Sequence, residues 1–187
     1  MPQIKLREKA QIMTEEDLGR CIARIAHEII EKNKGVDNLV IVGMRTRGFH
    51  IAKRIAQKIL EIEKRTIPVG ALDVTFYRDD YRTGLKQPGI RATEIHFPIE
   101  EQHVILVDDV LYTGRTVRAA LDELVDLGRA RSIQFAVLVD RGHREMPIRA
   151  DYVGKNVPTA QDEEVAVRMK EEDQADGVWL MEVEACR

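Results

Sequence analysis

Two adjacent carboxylates, Asp108 and Asp109, directly follow the apolar run Val104-Ile105-Leu106-Val107, and Val110-Leu111-Tyr112-Thr113-Gly114-Arg115-Thr116 comes next. Two acids side by side can accept hydrogen bonds from neighbouring hydroxyls or hold a divalent cation. A Thr-Gly-Arg-Thr turn opening a helix brings backbone N–H groups and two hydroxyls to the positive end of the helix dipole, where a phosphate is favoured. Hydroxyls beside a phosphate describe a ribose 5-phosphate. A second stretch, Gly43-Met44-Arg45-Thr46-Arg47-Gly48, packs two arginines and a threonine into six residues. Guanidinium groups match phosphate geometry and stay charged, so the stretch points to an anion, although its two glycines alone would read as turn punctuation. A third, Asp140-Arg141-Gly142-His143-Arg144, ends another apolar run.

The elements between these stretches predict how they are positioned. Thr14-Glu15-Glu16-Asp17 reads as a helix start with Thr14 as N-cap and acids in the first turn. Leu18, Ile22, Ile25 and Ile29 recur at helical spacing until Gly35, with Arg20, Arg24 and His27 on the opposite face. That face is either solvated or an anion contact. Leu39–Val42 is a short apolar strand, and Ile51, Ala52, Ile55 and Ile59 mark a second amphipathic helix. Strand, loop and helix form the βα unit of a parallel sheet. Further strands are expected at 66–75, 104–107 and 133–139, and a third helix carries Val117, Leu121 and Leu124 up to Gly128. Segment 77–91 is polar, with Gly84, Pro88 and Gly89, and reads as a lid loop or as an ordinary connection. Residues 165–169 and 178–183 alternate as late antiparallel strands. Three polar loops therefore leave three parallel strands at their C-terminal ends, the edge where open α/β sheets bind ligands.

Bulk properties exclude other classes. With 187 residues and no internal repeat, the chain is expected to form one domain over 1–187. It has no apolar stretch long enough to span a membrane, and Met1–Ala10 lacks a signal-peptide core. Cys21 and Cys186 do not make a disulfide framework or metal site, so a cytoplasmic location is expected. The net charge of −3 hides an asymmetry: nine acids against three Lys/Arg follow Gln161, leaving 26 Lys/Arg and 23 Asp/Glu before it. A mildly basic body permits an anionic ligand or partner.

Residues 104–116 closely resemble the phosphoribosyl pyrophosphate-binding motif of type I phosphoribosyltransferases. Over roughly residues 12–160, including Leu72 to Asp80 and Val139 to Thr159, the chain is similar to the bifunctional pyrimidine operon regulator / uracil phosphoribosyltransferase family. Ala160-Gln161-Asp162-Glu163 departs from that family's usual Ser-Arg-Ser-Glu, so contacts near the tail are not carried over. The resemblance implies a type I phosphoribosyltransferase fold: an α/β protein with a central, mostly parallel sheet flanked by helices, a small hood from the N- and C-terminal segments, and a flexible lid loop at about 77–91. It implies a homo-oligomer, dimer or tetramer. Two activities are implied, transfer of ribose 5-phosphate from phosphoribosyl pyrophosphate to uracil, and uridine-nucleotide-dependent binding of pyrimidine operon leader mRNA, with UMP or UTP as effector.

Site roles follow from residues and resemblance together. Asp108 and Asp109 hold the ribose hydroxyls, directly or through Mg²⁺; Leu111, Tyr112, Thr113, Gly114, Arg115 and Thr116 cradle the 5-phosphate. Arg45, Thr46 and Arg47 face the pyrophosphate, with Arg47 and Arg78 stabilising its charge as it leaves. Asp140, Arg141 and Val153 flank the base. Purine-salvage relatives commonly carry an acid just before Thr-Gly; here Tyr112 stands there and is no general base at an ordinary pKa near ~10, which argues for a pyrimidine. The RNA surface implied by resemblance comprises Arg24, His27, Lys32, His143, Arg144, Arg149 and Lys155. Interrupting acids such as Glu28, Glu31, Glu145 and Asp151 leave a transferase without RNA binding as the alternative.

Overall fold

A computed structural model describes residues 6–74 and 93–183. The elements are β1 (Leu6–Met13), α1 (Glu15–Asn33), β2 (Leu39–Met44), α2 (Arg47–Glu63), β3 (Val69–Leu72), β4 (His103–Leu111), α3 (Arg115–Leu127), β5 (Ser132–Asp140), β6 (Tyr152–Asn156), β7 (Glu163–Arg168), α4 (Lys170–Asp173) and β8 (Gly177–Val183). Five strands form a parallel sheet in the order β3-β2-β4-β5-β6, and three form a separate antiparallel sheet, β1-β8-β7. The parallel strands are apolar on both faces because helices cover both. Ile41, Ile105, Val107 and Leu138 pack with the inward stripes of α1 and α2 on one face. Val42, Leu106, Phe135 and Val137 pack with Val117, Ala120 and Leu124 of α3 on the other.

The start of α1 follows its sequence. Thr14 Oγ1 accepts the Asp17 N–H at 3.2 Å and Asp17 returns the bond to the Thr14 N–H at 3.0 Å, a reciprocal capping box. The Thr14 backbone and the Arg20 guanidinium together hold the Asp17 carboxyl well below the usual carboxylate range. The other end of α1 is tied across the sheet. Buried Tyr152 on β6 donates its hydroxyl to Gln134 on β5, Gln134 Nε2 donates to Asn33 Oδ1 at 2.7 Å, and Asn33 Nδ2 donates back to the Tyr152 oxygen at 3.3 Å. Tyr152→Phe removes one member of this closed set and is expected to cost about 1–2 kcal/mol in urea denaturation. Burial also pushes the Tyr152 phenol up to about 12. Its neutral form is the one the fold holds, so this contribution is intact below the ordinary tyrosine value and is lost as pH rises from about 10 to about 12. The Phe variant should lack that alkaline step, and a superimposable pH–stability profile would refute the assignment.

Several elements differ from the sequence reading. The acids Asp108 and Asp109 lie within β4, because β5 runs beside it to the register pair Leu111↔Asp140. Helix α2 begins at Arg47, four residues before its first apolar marker, so only Arg45 and Thr46 separate it from β2; the peptide joining those two residues is cis. Within the described part of the strand expected at 66–75, the strand spans Val69–Leu72, and Ala71 also bridges to Glu94; Thr75 lies outside the described residues. Strands β1 and β6 were not anticipated. Cys21 is a buried free thiol; Cys186, Arg78 and segment 77–91 lie outside the described residues. Among the described residues, no helix is long and apolar enough to cross a membrane.

Candidate active site

The strand order places a topological switch between β2 and β4. The chain leaves β2 for β3 on one side through α2, and leaves β4 for β5 on the other side through α3. These helices lie on opposite faces, so the two loops diverge and leave a crevice beyond the strand ends. Gly48 fixes the near wall. A Cβ there would lie 2.6 Å from the Val107 carbonyl oxygen and 3.0 Å from Asp108 Cα. Only glycine lets the first turn of α2 rest on β4 immediately before its carboxylates. The glycines of this loop are therefore packing requirements as well as punctuation.

The crevice is a cleft of about 540 Å³ lined by Arg47, Asp108 to Gly114, Thr116, Val117 and Arg141, and on its far side by Glu164 to Arg168 of β7 and by Asp173. The structure thus brings together both carboxylates, most of the turn that follows, Arg47 from the first turn of α2 and Arg141. Asp108 Oδ1 accepts the Asp109 N–H and Asp109 Oδ1 accepts the Val110 N–H, each at 2.9 Å. Gly114 takes φ +93°, which suits glycine, and starts α3. Thr113 is buried; its Oγ1 accepts the Arg115 N–H at 3.3 Å and its carbonyl accepts the N–H groups of Glu145 and Met146. Helices α2 and α3 have neither an acid in the first turn nor a side-chain cap, in contrast to α1. Both start at the crevice, where the positive ends of their dipoles favour an anion.

Arg141 is buried, donates to Thr159 Oγ1 at 3.1 Å and to the Glu163 carbonyl, and stacks on the Tyr112 ring with its guanidinium carbon 4.1 Å from the centroid. Burial pushes its pKa down, opposed by Tyr112 and the β7 acids, yet an arginine remains charged. Tyr112 is thereby held as a wall of the cleft. Arg47 donates to Asp173 through Nε at 3.1 Å and Nη2 at 2.8 Å.

Other residues fall elsewhere. Arg45 does not line the cleft; its Nη2 lies 2.8 Å from Glu94 without hydrogen-bond alignment, and its Nε is buried with no hydrogen-bond partner among the described residues. Thr46 and Arg115 do not line the cleft, and Arg115 pairs with Glu145 at 2.7 Å. On the base side, Asp140 and Val153 also lie outside it. The Asp140 carboxylate accepts the Gly142 N–H and the Arg144 guanidinium, and the Val153 carbonyl accepts from Arg24. Arg144, named with the RNA surface, is half-buried. Its guanidinium donates to the carbonyls of Tyr112, Gly142 and Ile148 and to Asp140, locking the loops after β4 and β5 together. Arg24, exposed His27, Lys32 and Lys155 line the seam of α1 with the edge strand β6: Arg24 donates to the Gly154 carbonyl at 2.6 Å, Lys32 pairs with Asp151, and Lys155 donates to the Ile12 carbonyl at 2.9 Å. His143 bonds the Thr159 carbonyl, and Arg149 is exposed on a loop whose Ile148 and Ala150 pack on the α3 side.

Sequence reasoning missed β7 as the far wall, and Asp173. Alternation at 165–169 marked a strand, but nothing local showed which site it would cover. Among the described residues, no three His, Cys, Asp or Glu side chains could together hold a metal. The adjacent carboxylates of Asp108 and Asp109 fit a hard divalent cation that takes its other oxygens from a phosphate ester or water.

Comparison with known proteins accords with this geometry. A family model described as a phosphoribosyl transferase domain matches residues 9–172. A bifunctional protein PyrR of Pelotomaculum thermopropionicum is 60% identical over 94% of this chain and 97% of its own. Those of Deinococcus radiodurans and Bacillus subtilis are 57% and 54% identical, over 94% and 96% of this chain and 96% and 100% of theirs. In fold, the chain is similar to a hypoxanthine-guanine phosphoribosyltransferase of Bacillus anthracis, with a TM-score of 0.71 at 19% identity over 95% of this chain and 99% of that one. It is also similar to a hypoxanthine phosphoribosyltransferase of Trypanosoma cruzi, with a TM-score of 0.73 at 20% identity over 93% and 95%. A type I phosphoribosyltransferase fold and near-full-length identity above one half place the chain in the phosphoribosyl transferase domain family, among the bifunctional PyrR proteins.

Proposed function

We propose that this chain transfers ribose 5-phosphate from phosphoribosyl pyrophosphate to uracil, giving UMP and pyrophosphate, and that the same pocket, sensing UMP or UTP, controls binding to pyrimidine operon leader mRNA and so attenuates transcription. The observation that carries the enzymatic part is the switch-point cleft, where paired carboxylates run into a phosphate-type turn. Asp108 and Asp109 hold the ribose hydroxyls, and the backbone of Leu111 to Thr116 with the Thr113 and Thr116 hydroxyls holds the 5-phosphate. Arg47 faces the pyrophosphate; Arg141 and Tyr112 border the base. Mg²⁺, held at Asp108 and Asp109, would neutralise the polyanion. The bond from ribose C1 to pyrophosphate breaks, the bond from C1 to the base nitrogen forms, and the base loses that nitrogen's proton. Positioning and electrostatics carry such a step, so no protein nucleophile is needed. The sheet β1-β8-β7 serves as the hood.

The regulatory part is supported by membership among the bifunctional proteins and by the seam of Arg24, His27, Lys32 and Lys155, where Arg24 and Lys32 also pair with Glu28 and Asp151. A homo-oligomer in the cytoplasm is the setting this reading expects. Turnover of uracil with phosphoribosyl pyrophosphate and Mg²⁺ tests the first part, and failure to form UMP at any protein concentration would overturn it. Gel-shift titration of a leader hairpin tests the second. UMP should tighten binding, and Arg24→Ala with His27→Ala should weaken it by about tenfold or more while transfer continues. Equal affinity for the hairpin and a scrambled control would leave a salvage transferase alone.

A further inference from the structure

One face of α2 carries Arg47, His50 and Arg54, and each meets an acid from the short segment 171–176. Arg54 donates to both oxygens of Glu171, at 3.0 and 2.6 Å, and to both of Asp176, each at 2.9 Å. His50 Nε2 lies 2.8 Å from Glu172. Arg47 engages both oxygens of Asp173. The row is graded. Asp176 is nearly buried, with 7% of its side chain exposed, and also accepts the Lys170 N–H, so the Arg54 end is fixed. Asp173 is 23% exposed, and it lines the cleft together with Arg47. Burial alone would push the Asp173 and Asp176 carboxyls up, but the arginine hydrogen bonds, the Met169 and Lys170 N–H groups and the neighbouring positive charges together outweigh it and hold both below the usual range. Both acids are therefore charged at neutral pH.

A guanidinium has two bidentate edges, as Arg54 shows by holding Glu171 and Asp176 together, and each edge grips a carboxylate or a phosphate with the same pair of N–H groups. Asp173 takes the Nε/Nη2 edge of Arg47, and that edge cannot be given to a pyrophosphate at the same time. We propose that Asp173 competes with the substrate's pyrophosphate for Arg47, so that pyrophosphate binding releases the cleft end of segment 170–176 from α2 while the Arg54 end stays docked. The inference rests on the reading above in which Arg47 receives the pyrophosphate. It makes Asp173 a positioning residue: it sets how readily the arginine reaches the substrate and touches no reacting atom. A partly exposed pair of this kind is weak enough for a polyanion to displace, and the neighbouring Arg54 network keeps the wall of the cleft in place when it does.

The test is calorimetric titration of the full chain with inorganic pyrophosphate in the presence of Mg²⁺. Asp173→Asn keeps an oxygen that can accept the Met169 N–H, as Asp173 Oδ2 does at 3.0 Å, but loses the charge that holds Arg47. Pyrophosphate should bind this variant about three- to tenfold more tightly, and should inhibit transfer more strongly, with KM for uracil unchanged. Arg47→Ala should weaken pyrophosphate binding, and in the double variant Asp173→Asn should have no further effect. Glu171→Gln, which perturbs the Arg54 end, should leave pyrophosphate affinity as it is. A merely structural Asp173 would instead weaken binding when replaced. If Arg47→Ala weakens binding but Asp173→Asn does not tighten it, the competition is overturned and the pyrophosphate role of Arg47 survives. If Arg47→Ala changes nothing, that role itself is wrong. If Glu171→Gln tightens binding as much as Asp173→Asn, only the net charge matters and the competition fails.

Discussion

Asp109→Asn lowers kcat/KM for transfer by about 10²- to 10³-fold and shifts the thermal midpoint by no more than about 2 °C. Asp109 is half-buried at the end of β4, and its Oδ1 accepts the Val110 N–H. Asparagine keeps that oxygen and its shape, so the strand end and the turn leading to Gly114 stay in place. What disappears is the negative charge beside Asp108, on which the ribose hydroxyls and the divalent cation depend. Uninhibited RNA binding at the α1–β6 seam should persist, because none of Arg24, His27, Lys32 or Lys155 lines the cleft. The effect of UMP on that binding should be lost. Steady-state kinetics with a denaturation scan on the same sample decides the matter, and activity within tenfold of the parent would exclude the carboxylate from the role given to it.

Gly48→Ala should fail for a different reason. Its new methyl would sit 2.6 Å from the Val107 carbonyl oxygen, a backbone atom of the central strand that cannot swing aside. Overpacking of this kind costs about 1–3 kcal/mol, and the relief available is to lift the first turn of α2 off β4. That motion carries Arg47 away from Asp108 and Asp109. A misplacement near 1 Å costs about 10²-fold in rate, so kcat/KM should fall by about that factor and the thermal midpoint should fall with it. The joint loss distinguishes this variant from Asp109→Asn, whose stability is kept. Full activity in Gly48→Ala would show that the contact between α2 and β4 does not position the site.

The parallel sheet was legible because its strands are buried on both faces and read as continuous apolar runs. Thr14 and Asp17 announced α1 because a capping box is a local arrangement, complete within four residues. The two carboxylates and the Thr-Gly turn were equally local, and the strand–turn–helix around them gave the cradle its place. Strand β1 was hidden. Leu6 to Gln11 are exposed, so no hydrophobic alternation marks them, and the strand exists only because β8 lies alongside. Arg144 shows the same limit in a side chain. It reads as one more surface cation, and only the meeting of the loops after β4 and β5 supplies the carbonyls and the carboxylate that draw it inward. Asp173 sits in a run of acids with no local feature to single it out; its meaning comes from Arg47, 126 positions earlier in the chain.

The pairing of β1 with β8 also sets an order of assembly. In the sheet β1-β8-β7 the middle strand is the last made, and neither Leu6–Met13 nor Glu163–Arg168 has another partner in that sheet. During synthesis the strands and helices that form the phosphate cradle, all within residues 39–127, can emerge and pack first. The opposing wall of the cleft then waits for residues 177–183, because closing a sheet between such distant segments needs both of them. A ribosome-bound chain should therefore carry a finished cradle without its cover, and the cleft should close only once residues 177–183 have emerged.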